Sequence, residues 1–312
     1  MSQPVKGLTA THVAATLTNR GREAVDGTYR NRKRHCESQP SLDNSSREGT
    51  VTVKVEKLTA TSDIGRDVRQ LVQGLGGIES FVKAGERVLV KPSLNSPFPF
   101  PATTDLGLIR SVVELLREVT DKVTIGDSSG FLHKPTRDAF DGMGITALAR
   151  EMDVPLIDFD EHGWVPRRDS RAKLLTELHV TDRLEHFDRL IFLPTMRTHA
   201  WARITLSLKI GMGMLPVNDR KHMHRNSLEE MIGEMNLYFR PDLVILDGRK
   251  ALISGGPDHG EERSPGIILA STGRVAVDIE AVRILQQYQA NGLDMAAKDV
   301  PMIRTARELG ID

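Results

Sequence analysis

Two hydrophobic periods take turns along the chain from Val51 onward. The stretch 51–58 (VTVKVEKL) alternates apolar and polar residues, as a half-buried strand does. Ile64 to Val82 then follows with helical spacing, interrupted at Gly76-Gly77. The same exchange repeats further along. Strands are expected at 87–95 (RVLVKPSLN), 122–130 (KVTIGDSSG), 154–160 (VPLIDFD), 177–182 (ELHVTD), 189–195 (RLIFLPT), 242–248 (DLVILDG) and 266–272 (GIILAST). Helices are expected at 104–119, from about 135 to 152, at 227–239 and at 275–289. Apolar strands joined by amphipathic helices imply right-handed crossovers. The pattern therefore predicts an α/β fold, a mainly parallel sheet with helices on both faces. No internal repeat or linker divides residues 51–312, which read as one α/β catalytic domain.

Residues 1–50 differ. Arg20, Arg22, Arg30, Arg32, Lys33 and Arg34 stand among Ser, Asn, Asp and Gly with hardly any apolar content. Such a stretch buries too little surface to offset the entropy of ordering, so a flexible basic tail is expected, with a short helix compatible with 8–17. Overall charge narrows the function classes. Lys plus Arg and Asp plus Glu are both 42, which leaves no net field for nucleic acid or an anionic membrane. Aromatics at 4% supply few platforms for stacking bases. No run approaches the roughly 18 apolar residues of a membrane span. Cys36 is the single cysteine, which excludes an internal disulfide and a resident iron–sulfur cluster held by about four thiolates. No charged-then-apolar segment opens the chain, so a cytoplasmic location is expected.

The chemistry concentrates in 194–226, which carries Arg197, His199, Arg203, Lys209, Arg220, Lys221, His222, His224 and Arg225 around Gly211 and Gly213. Glycines weaken a solvated helix, and unpaired cations are costly in a core. A pocket wall suits both, because there backbone approaches a ligand and cations meet an anion. Ligands of parallel sheets bind beyond the carboxyl ends of the strands. That rule picks out Lys91 and Asn95 after VLV, Asp127 and Ser128 after VTI, and Asp247 after VIL, as substrate-binding residues. His199 titrates near neutrality and is the candidate general base or acid. Along one helix His199 and Lys209 would sit roughly 280° apart, so a shared site needs broken geometry between them. His222 and His224, spaced by two, face one side if the segment is extended, which would suit a divalent metal. The turn Ser254-Gly255-Gly256-Pro257 is expected to shape a loop over the site. Phosphate-loop and dinucleotide fingerprints are absent.

Taken in order, KPSLN, IGDSSG, MRTHAWARITLSLKIGMG, H-x-H, LDG, GGP and AVD resemble the family known as domain of unknown function 362, over roughly residues 85–285. That family's usual pattern has lysine where Arg197 stands and Lys-Asn where Lys209-Ile210 stands. Many members carry a cysteine-rich ferredoxin-like segment, and this chain has none. The order of His199, Lys209 and His224 is also similar to the nickel-pincer lactate racemase family. There the histidine is followed ten residues on by a lysine that carries the cofactor, then by a histidine on the metal.

The expected function is a small-molecule enzyme, an isomerase or lyase using acid–base chemistry next to a carboxylate or carbonyl. His199 would move the proton, with Lys209 and Arg197 stabilising the oxyanion of a small anionic substrate. Two other classes compete: a redox protein using an external electron carrier, and a non-catalytic anion-binding module.

Overall fold

The computed structural model describes residues 53–312. The basic tail, its 8–17 segment and Cys36 lie outside the described residues. Strand β1 (Val55–Thr59) is followed by helix α1 (Ile64–Gly74), whose first turn is capped by the Asp63 carboxylate accepting from the Arg66 amide at 3.0 Å. The helix stops where Gly76 and Gly77 take φ of 107° and 85°, a region closed to most side chains. Next come β2 (Val88–Pro92), α2 (Leu106–Arg117) and β3 (Val123–Asp127). The single helix expected over 135–152 is two, α3 (Thr136–Met143) and α4 (Ile145–Glu151), because Gly144 between them is left-handed at φ 86°.

Strand β4 (Leu156–Asp158) precedes a separate hairpin of β5 (Trp164–Arg168) and β6 (Glu177–Thr181). Then β7 (Arg189–Leu193) runs through Pro194 into β8 (Thr195–His199), which turns back into β9 (Arg203–Thr205). Helices α5 (Val217–His224) and α6 (Leu228–Met235) lead to β10 (Leu243–Leu252), the short β11 (Glu262–Arg263) and β12 (Ile267–Ser271). Helices α7 (Arg274–Gln287) and α8 (Pro301–Glu308) finish the chain.

The main sheet runs β1-β12-β10-β7-β2-β3-β4. From β10 through β7, β2 and β3 to β4 every pairing is parallel; along this path only β12 runs against its neighbours, while off it β11 pairs antiparallel with β10 and β9 with β8. Both faces are covered, as the sequence pattern implies. Val88, Val90, Ile191, Leu243 and Ile245 point into one core with α1, α2 and α4. Leu89, Phe192, Val244, Leu246 and Leu269 point into the other, with α6, α7 and α8. The two sets alternate residue by residue, as a pleated strand requires. Among the described residues no helix is long and apolar enough to cross a membrane.

Candidate active site

A cavity of about 280 Å³ opens where the parallel strands end. Its floor is an ion pair between Lys91 in β2 and Asp127, the last residue of β3, at 2.6 Å with both side chains 2% exposed. Asp127 also accepts from the amides of Leu94 at 2.8 Å and Ser128 at 2.7 Å. Burial pulls the Lys91 ammonium down while Asp127 pulls it up. Gly213 lies against this pair. A Cβ there would sit 2.0 Å from Asp127 Oδ1 and 2.7 Å from Lys91 Nζ. Gly213→Ala is therefore expected to part the buried pair and cost about 3 kcal/mol, read as a lowered Tm. An unchanged melt would show that the pair needs no such clearance.

Arg197 and Asn95 bind the rim rather than facing a ligand with free donors. The wholly buried Arg197 guanidinium donates to the Pro257 carbonyl at 2.8 Å, to Ser93 Oγ at 2.7 Å, to Asn95 Oδ1 at 3.2 Å and to the Ala102 carbonyl. Only its Nε has no partner. Burial lowers it to about 10, so it stays charged at neutral pH. Asn95 Nδ2 in turn donates to Asp258 at 2.7 Å, and the other Asp258 oxygen meets His133 Nε2 at 2.7 Å. Ser128 Oγ donates to the Gly213 carbonyl at 2.7 Å and accepts from Arg220. Arg220 is itself spent on the carbonyls of Leu215 and Ser129, both at 2.7 Å.

Beside Arg197 Nε and Thr205 Oγ1, which also lack partners among the described residues, three side chains of the 194–226 wall keep a free atom able to move or donate a proton near neutrality. The first is His199, the last residue of β8. The chain curls so that the amides of Trp201 and Ala202 both donate to its Nδ1, each at 3.1 Å. The proton of the neutral ring therefore sits on Nε2. Burial first, then the Lys209 charge, holds His199 far below the usual imidazole range. A base needs a free lone pair, and this ring has none to offer. Of the base or acid role expected of His199, this geometry leaves the acid: the ring presents Nε2–H as a donor. The second is His224, at the end of α5, with the opposite tautomer. Its Nδ1 donates to the Arg220 carbonyl one turn back at 2.7 Å, leaving the Nε2 lone pair without a hydrogen-bond partner among the described residues. Burial and Lys209 lower its pKa. The two rings lie 6.3 Å apart, centroid to centroid.

The third is Lys209. It stands before the 3-10 turn Ile210–Met214, is 9% exposed, and its amine makes no hydrogen bond or ion pair among the described residues. Burial, then Arg197 and Arg220, bring its amine down to about 7. The backbone ahead of it is pinned by Asp278, which accepts from the amides of Ser207 at 2.8 Å and Leu208 at 3.0 Å. The broken geometry between His199 and Lys209 is supplied by β9 and by the turn at 206–209 that follows it.

Three further expectations are corrected. Gly211 does not line the cavity; a Cβ there would lie 2.0 Å from the Phe239 ring, so it is a packing glycine. Asp247 is fully buried in β10 and spent on Arg249 at 2.7 Å, which also meets Asp105 at 2.8 Å. The segment holding His222 and His224 is helical, not extended. His222 consequently faces solvent, bonded to Asn226, while His224 faces the cavity. Among the described residues no three His, Cys, Asp or Glu side chains converge as metal ligands. Lys91, Asn95, Asp127, Ser128, Arg197, His199, Lys209, Gly213 and His224 do converge on the cavity. Sequence reasoning passed over Asp258, His133 and the aromatic rim of Phe131 and Trp201. The Gly255-Gly256-Pro257 turn beside Asp258 was the available signal.

This is a doubly covered α/β protein with a cationic, histidine-bearing cavity at its parallel strand ends. The chain belongs to the family described as Domain of unknown function (DUF362), whose model matches residues 88–283, from β2 into α7. It is also similar to a thylakoid-associated protein, sll1697, of Synechocystis sp. The two are 31% identical over 252 residues, which cover 78% of this chain and 76% of that one.

Proposed function

We propose that the protein is an enzyme that moves a proton next to the carboxylate or carbonyl of a small anionic substrate, an isomerase or lyase in class. The observation that carries this reading is the opposed tautomers of His199 and His224 on one cavity. His224 Nε2 is the proton acceptor, and His199 Nε2–H donates to the oxygen on which charge develops. Lys209, half neutral near pH 7, relays or receives the proton. Arg197 and Arg220 set a positive field without contacting the substrate through free donors.

The test is solvent exchange. The protein is incubated in D2O with short-chain 2-hydroxy, 2-amino and 2-oxo acids, and loss of the proton beside the carboxylate or carbonyl is followed by NMR. Enzyme-dependent exchange in one class supports the reading. Saturable binding with no exchange in any class would turn it into the anion-binding module.

A second reading is favoured by one feature: Lys209 Nζ and His224 Nε2 both lack partners in the same cavity. A pincer-type cofactor would be held by Lys209 and by His224 on its metal. When bound, such a group supplies a metal centre beside the substrate. Intact mass of the protein as purified, mapped to Lys209, tests it.

A further inference from the structure

We propose that Lys209 is a covalent nucleophile whose amine condenses with the carbonyl carbon of a 2-oxo acid to form a Schiff base. The inference rests on the proton-transfer reading above and assigns its substrate class.

Every other buried cation around the cavity is committed. Lys91 is held by Asp127 and the Pro92 carbonyl, Arg197 by three loop carbonyl or hydroxyl oxygens and Asn95, and Arg220 by two carbonyls and Ser128. The Lys209 amine alone among them makes no hydrogen bond or ion pair within the described residues. Buried lysine is seldom left so, because burial disfavours an uncompensated ammonium. The carboxylates that could hold it charged are taken, Asp127 by Lys91 and Asp258 by Asn95 and His133. What remains is a desolvated amine without a counter-charge, in a cavity whose lining also includes Ile210, Met212 and Trp201. Desolvation and adjacent cations are the two devices that turn a lysine into a nucleophile, and its depression to about 7 agrees with that geometry.

The flanking histidines supply the rest. The Lys209 lone pair forms the C–N bond while the carbonyl π pair moves to oxygen, which accepts from His199 Nε2–H. His224 Nε2 takes a proton from nitrogen and returns it to oxygen, giving the carbinolamine. A second proton transfer from nitrogen to the hydroxyl releases water and leaves C=N. Amine plus carbonyl gives imine plus water, with no oxidant or reductant. The positive field accounts for a carboxylate. The rim of Trp201 and Leu132, 63% and 76% exposed, accounts for an apolar substituent on the substrate.

The full chain is incubated with phenylpyruvate and sodium borohydride at pH 7, then read by intact mass and peptide mapping. One reduced adduct per chain is expected on the peptide carrying Lys209, forming ~10³-fold faster than on exposed lysines, which are almost wholly protonated at that pH. It should be lost in Lys209→Met and slowed in His224→Gln. Adduct spread over exposed lysines, equal in Lys209→Met, would overturn the proposal. So would a Lys209 already blocked by a cofactor as purified. Deuterium exchange at C3 of phenylpyruvate without any trapped adduct overturns the Schiff base while sparing the proton-transfer reading. Neither exchange nor adduct overturns the Schiff base, and the proton-transfer reading falls with it only if the 2-hydroxy and 2-amino acids show no exchange either.

Discussion

Lys209→Met is expected to make the protein inactive and more stable at once. The native amine is drawn from 10.5 to about 7 by burial and by two guanidinium neighbours. Below pH 7 it is charged in both the folded and unfolded chain, and the folded state carries the whole cost of burying it. That cost is on the order of 5 kcal/mol before relaxation of the surroundings. Between pH 7 and 10.5 the folded amine is neutral while the unfolded one still binds a proton, so stability rises with pH and the cost fades. Above 10.5 nothing is left of it. Methionine matches the chain's length without its charge. Its advantage should therefore be greatest at pH 7 and below, roughly 5–10 °C in Tm, and should shrink by pH 9.5. Urea melts of the two proteins at pH 6.5 and 9.5 measure this directly. An advantage independent of pH would mean that Lys209 finds a counter-charge. A site that stores destabilisation in this way is a mark of function, since a surface or core role would have no need of it.

Much of the site is written in plain sight. Lys91 and Asp127 follow short apolar runs, and a parallel strand ends by delivering its next polar side chain to the ligand side of the sheet. The density of cations and imidazoles between 194 and 226 marks the wall for a related reason: so many such groups are costly in a core unless they face a cavity or find partners. Other features depend on neighbours remote in the chain. Gly211 and Gly213 are two residues apart, yet one clears the Phe239 ring and the other an ion pair between β2 and β3. Helix α5 escapes periodicity because VNDRKHMH has almost no apolar stripe. It is held instead by the buried Met223 and by Arg220 reaching three oxygens across the site. With that helix unseen, His222 and His224 look like one pair. Strand β8 escapes too, because its buried residues include Arg197, Thr198 and His199, polar groups satisfied by partners remote in the sequence pattern: loops over Arg197, the end of β10 for Thr198, and the turn after His199. The tautomer of His199 depends on two amides that turn back to it, which no residue pattern reveals.

The two histidines should part company when each is replaced by glutamine. A glutamine amide nitrogen reaches about where imidazole Nε2 lies, and it can donate but not take up a proton. At 199 the native atom is a donor, so His199→Gln should keep proton exchange within about tenfold of the native rate. His199→Ala, which removes the donor, should lose ~10²–10³-fold. At 224 the native atom is a lone pair, so His224→Gln should fall ~10²–10⁴-fold, as for loss of a general base. The pH profile adds a second readout. With Lys209 needed neutral, the native rate should climb through about pH 7 and level off above it. That limb should persist, at lower amplitude, in His199→Gln, because the donor ring does not titrate in this range. The opposite ranking, with His224→Gln active and His199→Gln dead, would return the proton to His199. It would also require the amides of Trp201 and Ala202 to release its Nδ1 during turnover, so that the ring could flip its tautomer. The glutamine pair thus separates a donor from a base in two rings 6.3 Å apart, where alanine would only show that both matter.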